Sequence, residues 1–241
     1  MSQRTGDDGP VRAKGNGNTM RYILTVLAVG YAAFDANAAS RIPVTNEGKG
    51  RHAPTRFVVI SDVDDTIKDT GVTVGRTHLK NIPWILLDPL RTWAPVPGMS
   101  ALYQGIHKKL GAGFLYVSKG PAFSRSSLQR AITRFHFPNG EIRLNSQFPS
   151  APADYKFRVI APIIRDSPRQ HYILIGDSGE LDPENYGLLA RTFPRQVDKI
   201  FIRSVTADWE GRYRCAFHEV PHSKWEVFAW PQDLRLDTFH N

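Results

Sequence analysis

The stretch FVVISDVDDT, residues 57–66, joins a short apolar run to three carboxylates within four positions. Its first five residues are mostly aromatic or β-branched, which is typical of a strand buried on both faces of a parallel sheet. Asp62, Asp64 and Asp65 follow at the strand end, where they repel one another and lose solvation. A divalent cation offsets this cost, and ligands that are all oxygen suit Mg²⁺ better than zinc. The stretch therefore predicts a magnesium site at the carboxyl end of a buried strand.

The spacing of these carboxylates also allows covalent chemistry. Mg²⁺ takes few protein ligands, so one carboxylate stays free to attack. A second carboxylate two residues later can give and take the proton that such a reaction needs. Asp62 and Asp64 have this spacing. For Asp65, we favour a solvated or helix-capping carboxylate over a third participant.

The rest of the chain alternates short apolar runs with helix-like stretches, which predicts a layered α/β domain with a Rossmann-like parallel sheet. Further strands are predicted at 113–118, 172–176 and 199–203. Helices are predicted at 98–110, 126–135, 154–166 and 182–192. Pro162 is expected to kink or split the third of these helices.

Polar residues end two other predicted strands. Ser118 ends the second strand, and the segment GDSGELD (176–182) closes the third. Ligands of open parallel sheets bind beyond the carboxyl ends of the strands, so these groups are expected to meet at one edge. Asp177 is predicted to bind the metal. Asp182 either binds the metal or caps the helix that starts there. The role of Glu180 is undecided in the same way.

The motifs DVDDT and GDSGELDPENY resemble the haloacid dehalogenase superfamily of aspartyl-phosphate phosphatases. More closely, the chain is similar to the phosphatidate phosphatase catalytic domain first associated with yeast actin-patch proteins. Matching segments occur in the family's order from about residue 57 to 206, and VFAWPQDL echoes its usual ending. They are SDVDDTIKDTG, VPGMSALYQGI, FLYVSKGP, FPNGEIRL and HYILIGDSGELDPENYGLLARTFP.

This resemblance implies roles for individual residues. Asp62 would attack phosphorus, and Asp64 would protonate the departing oxygen and then activate water. Mg²⁺ would be held by Asp62, the backbone carbonyl of Asp64, and Asp177, with Asp182 as the further candidate ligand.

The phosphoryl group has its own set of implied partners. Ser118 would donate a hydrogen bond to it, Lys156 would neutralise it, and Thr66 would support the site. Arg158 is the alternative to Lys156. Where the family commonly has a small residue after the serine, this chain has Lys119, which adds a positive charge beside the phosphate and is a candidate substrate contact.

Composition limits the function classes. The 241 residues carry a net charge of +8 with a pI near 9.7, which favours anionic partners such as phosphate esters or an anionic membrane surface. The basic residues are scattered and do not alternate with aromatic residues, so no nucleic-acid partner is expected. Cys215 is the single cysteine, which excludes an intramolecular disulfide and a Cys-rich zinc site.

Three functions remain open. The leading prediction is a Mg²⁺-dependent phosphomonoesterase that converts phosphatidate or a related lipid phosphate to diacylglycerol. The second keeps this chemistry and changes the substrate to soluble phosphomonoesters. The third is a non-catalytic basic module for membrane surfaces, which the clustered carboxylates disfavour because they would repel anions.

The first 56 residues are predicted to lie outside the catalytic domain at 57–241. The apolar run at 22–34 is too short for a comfortable membrane span, follows Arg21, and precedes the small residues of ANAAS. Residues 1–38 are therefore predicted to be a leader and signal peptide, and residues 39–56 a linker. Translation would start at Met1 or at Met20. A buried first helix or an uncleaved anchor are the alternatives.

An apolar segment precedes the helix at 98. KNIPWILLDPLRTWAPVPG (80–98) contains Trp84, Leu87 and Trp93 among its large apolar residues. It is interpreted either as a small cap that holds an acyl chain at the site entrance or as ordinary core against the sheet.

We predict export, to the periplasm or outside the cell. The mature protein should begin near Ala39 or Ser40, because a signal peptidase cleaves after small residues of the A-x-A type. N-terminal sequencing of the native protein checks this, and an intact residue 1 would count against cleavage.

Overall fold

The computed structural model describes residues 56–69, 93–148, 150–205 and 211–235. The predicted signal peptide, nearly all of the predicted linker and most of the apolar segment at 80–98 lie outside these residues. The elements in chain order are β1 (Phe57–Ser61), β2 (Lys68–Asp69), β3 (Ala94–Pro95), α1 (Met99–Leu110), β4 (Gly113–Pro121), α2 (Arg125–Arg134), β5 (Glu141–Asn145), α3 (Tyr155–Asp166), β6 (His171–Asp177), α4 (Asp182–Thr192), β7 (Val197–Arg203), α5 (Arg212–Ala216) and β8 (Trp225–Phe228).

Six strands form one sheet in the order β5-β4-β1-β6-β7-β8. Every neighbouring pair in this sheet is parallel. β1 lies inside the sheet, with Ser61 level with Tyr116 of β4 and with Ile175 of β6. The carboxyl ends of β1, β4 and β6 therefore meet at one edge, and the predicted parallel α/β fold is confirmed.

Helices cover both faces of the sheet because alternate residues of each strand point to opposite sides. Val59 packs in the cluster that contains the buried faces of α1 and α2. Val58 and Ile60 pack in the other cluster, with residues of α3, α4 and α5. Both faces are apolar, which explains why the central strands are continuous apolar runs.

Some elements differ from the predictions. The edge strands β5 and β8 and the short helix α5 were not predicted. An edge strand is only partly covered, so EIRLN and WEVF lack a long apolar run. Pro162 does not split α3, which continues from Tyr155 to Asp166 with Ile160, Ala161 and Ile164 buried. Burial of this face outweighs the hydrogen bond that proline cannot donate.

The short strands β2 and β3 pair antiparallel, and β3 lies within the apolar segment at 80–98, of which residues 93–98 are described. Trp93 is one of these residues. Its side chain is 7% exposed, stacks on Phe135 with 5.3 Å between ring centroids, and meets Phe137 edge-on at 6.3 Å. Trp93 therefore packs as core, while the interpretation of Trp84 and Leu87 stays a prediction.

Across the part of the chain that the structure describes, none of the helices combines the length and apolar character needed to cross a membrane.

We predict that Trp93→Ala destabilises the fold by about 3–5 kcal/mol, because a large buried ring leaves a cavity that cannot fully collapse. Trp230 is the matched control, since it is 52% exposed. Trp230→Ala should change the free energy of unfolding by about 0.5 kcal/mol or less. Urea unfolding followed by circular dichroism measures both, and equal losses would contradict the core assignment of Trp93.

Candidate active site

Five predicted site residues lie at the carboxyl edge of the sheet. Asp62 directly follows β1, Ser118 lies in β4, and Asp177 ends β6. Asp182 begins α4 and Lys156 lies in the first turn of α3. All five are buried. The structure therefore brings together residues that are far apart in the chain.

Three of the carboxylates form a compact cluster. Asp62, Asp177 and Asp182 each offer an oxygen within 4.8 Å of the oxygens of the other two. Asp182 can approach because residue 176 is glycine: a Cβ there would lie 2.3 Å from Asp182 Oδ2. The cluster thus depends on a missing side chain in β6.

Asp182 belongs to this cluster and is not the helix cap. Leu181 occupies the N-cap position of α4. Asp182 Oδ2 instead accepts a hydrogen bond from the backbone N–H of Asp177, at 3.3 Å. The interpretation of Asp182 as an N-cap is wrong, because its side chain accepts a hydrogen bond from β6 and α4 has no side-chain capping hydrogen bond.

Lys156 joins two of the carboxylates. Its Nζ lies 2.6 Å from Asp62 Oδ1 and also donates to Asp182 Oδ1, and its side chain is 1% exposed. The alternative candidate, Arg158, points away from the site and pairs with Asp154 at 2.8 Å on the surface. The choice of Lys156 over Arg158 therefore agrees with the geometry.

Burial dominates the electrostatics of this cluster. It raises the pKa of Asp62 well above its ordinary value, against the attraction of Lys156. Burial, reinforced by Asp182, raises the pKa of Asp177 to about 7. Burial disfavours the charged form of Lys156, but Asp182 and Asp62 outweigh it and raise the Lys156 pKa well above the usual value. Burial and mutual repulsion therefore favour the protonated form of these carboxylates unless a cation lies among them.

The cluster fits a divalent cation. Three ionised carboxylates and one ammonium group leave a net charge of −2, which one divalent ion neutralises. Asp62 Oδ2 is buried and has no hydrogen-bond partner among the described residues. The three carboxylates offer only oxygen atoms as ligands, and such a set suits a hard cation.

Asp64 belongs to a different group of side chains. Ser118 Oγ donates to Asp64 Oδ2 at 3.0 Å, and the backbone N–H of Gly120 donates to Ser118 Oγ at 2.9 Å. Lys68 Nζ lies 3.5 Å from Asp64 Oδ1. The carboxylate of Asp64 is thus outside the cluster of Asp62, Asp177 and Asp182, and its backbone carbonyl as a metal ligand stays a prediction. Lys68 was not predicted; its position four residues after Asp64 was the available signal.

An ion pair lies at the rim of the site. Lys119 Nζ is 3.0 Å from Glu180 Oε2, and the same oxygen is 3.9 Å from Lys156 Nζ. Glu180 is partly exposed, so this pair is screened by solvent. Lys119 therefore stands next to the cluster, with Glu180 as its partner in this state.

The loop between β6 and α4 is held by several hydrogen bonds. Thr66 Oγ1 donates to Asp177 Oδ2 at 3.4 Å, and the backbone N–H of Gly179 donates to Asp177 Oδ1 at 2.6 Å. Arg212 of α5, which was not predicted, donates to the carbonyls of Ser178 at 2.6 Å and of Glu180 at 2.5 Å. The same guanidinium pairs with Glu184 of α4. Arg212 therefore holds the loop that joins Asp177 to Asp182.

The turn after β1 is held from β7. Arg203 donates to the backbone carbonyl of Asp65 at 2.6 Å. Asp65 has φ 54°, a left-handed conformation that Asp and Asn tolerate better than most residues. The sequence could not indicate this contact, because it joins two distant segments.

The chain matches a known protein family over most of the described residues. The family described as "Phosphatidate phosphatase APP1, catalytic domain" matches residues 57–204. The chain belongs to this family. The matched range contains every residue of the site described above except Arg212.

Two fungal proteins are similar in sequence to this APP1-type domain. "Phosphatidate phosphatase APP1" of Saccharomyces cerevisiae is 35% identical over 159 residues, which cover 63% of this chain and 26% of that protein. An uncharacterised protein of Schizosaccharomyces pombe is 31% identical over 163 residues, covering 64% of this chain and 26% of that protein. The chain thus spans about a quarter of the length of each relative.

Solved structures of hydrolases are more distant. A family IA hydrolase of the haloacid dehalogenase type from Entamoeba histolytica has a TM-score of 0.47 and 9% identity, covering 75% of this chain and 96% of that one. A class C acid phosphatase from Bacillus anthracis, with tungstate bound, has a TM-score of 0.43 and 16% identity over 70% and 75%.

We predict that Lys156→Met lowers phosphatase activity at least about 100-fold, because the buried cation is removed from Asp62 and Asp182. Arg158→Met is the control: it removes a cation from the same helix at an exposed position. The control should stay within about twofold of the parent, as exposed ion pairs contribute little. Phosphate release from a soluble monoester measures both, and equal effects would contradict the role of Lys156.

Proposed function

We propose that the chain is a Mg²⁺-dependent phosphomonoesterase that forms an aspartyl-phosphate on Asp62. The observation that carries this proposal is the asymmetry of the Asp62 carboxylate. One oxygen contacts Lys156, while Oδ2 is buried and without a partner among the described residues. A carboxylate held at one oxygen and free at the other is oriented for attack.

Asp62 would form a bond to phosphorus as the bond to the leaving oxygen breaks. Asp64, which lies outside the metal cluster, would give its proton to that oxygen and then accept one from the attacking water. Ser118 contacts Asp64 and would hydrogen-bond the phosphoryl group. Lys156 would neutralise developing charge from its buried position, since electrostatic interactions are stronger away from solvent.

Asp62, Asp177 and Asp182, with the backbone carbonyl of Asp64, would hold Mg²⁺. When bound, the ion neutralises carboxylates and phosphoryl oxygens together, as phosphoryl transfer with a loose transition state requires. Lys119 would exchange Glu180 for a substrate oxygen, because an exposed ion pair is easily replaced.

Phosphatidate or a related lipid phosphate is the proposed substrate, with diacylglycerol as the product. The family description and the name of the Saccharomyces cerevisiae relative support this choice. The net charge of +8 would favour contact with an anionic membrane surface. We also propose that the enzyme works outside the cytoplasm, on the basis of residues 1–38.

One experiment tests the proposal. Purified full-length protein is given phosphatidate in vesicles and, separately, a soluble phosphomonoester, each with Mg²⁺ or with excess chelator. We expect phosphate release that requires Mg²⁺, and Asp62→Asn should abolish multiple turnover because an amide does not attack phosphorus. In the parent protein, a protein-bound phosphoryl group that hydroxylamine removes would mark the intermediate.

Asp65→Asn is the matched control, since Asp65 stands in the same motif and asparagine tolerates its left-handed backbone. It should retain most of the activity. Full activity in excess chelator would refute the metal dependence, and turnover by Asp62→Asn would refute the nucleophile. Release from the soluble ester alone would favour the second candidate substrate class, and vesicle binding without any release would favour the non-catalytic module.

A further inference from the structure

A cavity of about 130 Å³ opens beside Asp64 and Ser118. Apolar side chains, among them Trp93, Phe123, Leu128 and Leu144, form most of its other walls, and its further polar members are Lys68, Ser124 and Ser127. Trp93 and Leu128 are buried, whereas Phe123 is 67% exposed. An apolar group that enters this cavity would therefore cover the Phe123 ring and gain burial.

The cavity lies on the Asp64 side of the site and not on the side of the carboxylate cluster. Among the described residues, its lining includes Asp64 and Ser118 but not Asp62, Asp177 or Lys156. An acid that protonates a leaving oxygen must contact that oxygen. A group attached to this oxygen and directed away from the carboxylate cluster would meet the apolar walls.

We propose that this cavity binds the part of the leaving alcohol that directly follows the ester oxygen, and that it selects an apolar group of limited size. The proposal rests on the phosphatase chemistry proposed above. It assigns Phe123, Leu128, Leu144 and Trp93 as the residues that determine leaving-group specificity.

The volume sets the size limit. An engineered apolar cavity of about 150 Å³ holds one benzene molecule. A cavity of about 130 Å³ accepts a comparable group, on the order of four to six carbon atoms. The two acyl chains of a diacyl lipid exceed this volume, so they would stay outside the cavity, and only the glycerol carbons next to the phosphate would contact its apolar walls.

The test uses soluble n-alkyl monophosphates from methyl to octyl with the full-length protein. We expect kcat/KM to rise about fourfold for each buried methylene and to level off between about four and six carbons. Phe123→Ala should reduce this rise, and because the ring is largely exposed the variant should fold normally. Trp230→Ala, which removes an exposed aromatic side chain outside the cavity lining, should keep the parent profile.

The opposing outcomes are equally specific. Equal kcat/KM for all chain lengths, or a rise that continues through octyl, would overturn the proposal. The same reduction in Phe123→Ala and Trp230→Ala would also overturn it, since a general surface effect would then explain the result.

Failure of the catalytic proposal can be told apart from failure of this one. If no ester releases phosphate, the proposed function fails. The affinity of alkyl phosphates for the protein then tests the assignment of the cavity. Calorimetry with Asp62→Asn and pentyl or methyl phosphate would then show tighter binding of the pentyl compound if the assignment holds. Equal affinities would overturn it.

Discussion

The buried ammonium group of Lys156 holds the candidate site together. It contacts Asp62, which follows β1, and Asp182, which begins α4, while Lys156 itself belongs to α3. Removing one buried partner of such a pair is strongly destabilising, because the remaining charge has neither water nor a counter-ion. The positions of three elements and the protonation of two carboxylates are therefore linked through one side chain.

The two carboxylates of the DVDDT motif have separate surroundings although they are two residues apart. Asp62 lies in the buried cluster with Asp177 and Asp182, and Asp64 interacts with Ser118 and Lys68. Separate surroundings suit the proposed roles of Asp62 as nucleophile and Asp64 as acid, because the attacking and leaving oxygens lie roughly in line on opposite sides of the phosphorus. The turn after the strand separates these surroundings.

The sequence predicted the strands that are buried on both faces, because only these produce continuous apolar runs. It also placed Asp62, Ser118 and Asp177 on a common edge, since all parallel strands end on the same side. The direction of the Asp182 side chain could not be predicted, because it depends on the close approach at Gly176. Arg212 could not be predicted either, since it reaches the β6–α4 loop from a segment about thirty residues later.

The pairing of β1 with β6 has a consequence for how the protein folds during its synthesis. Thr66 contacts Asp177 across a separation of 111 residues, and contacts of this kind form slowly. At about 5–20 residues per second, the acidic motif leaves the ribosome several seconds before Lys156, which pairs with Asp62. Until then, Asp62 stays exposed to solvent on an incomplete sheet. A nascent chain that ends before α4 would therefore carry Asp62 and Asp177 without Asp182, so the carboxylate cluster would be complete only after α4 has been synthesised.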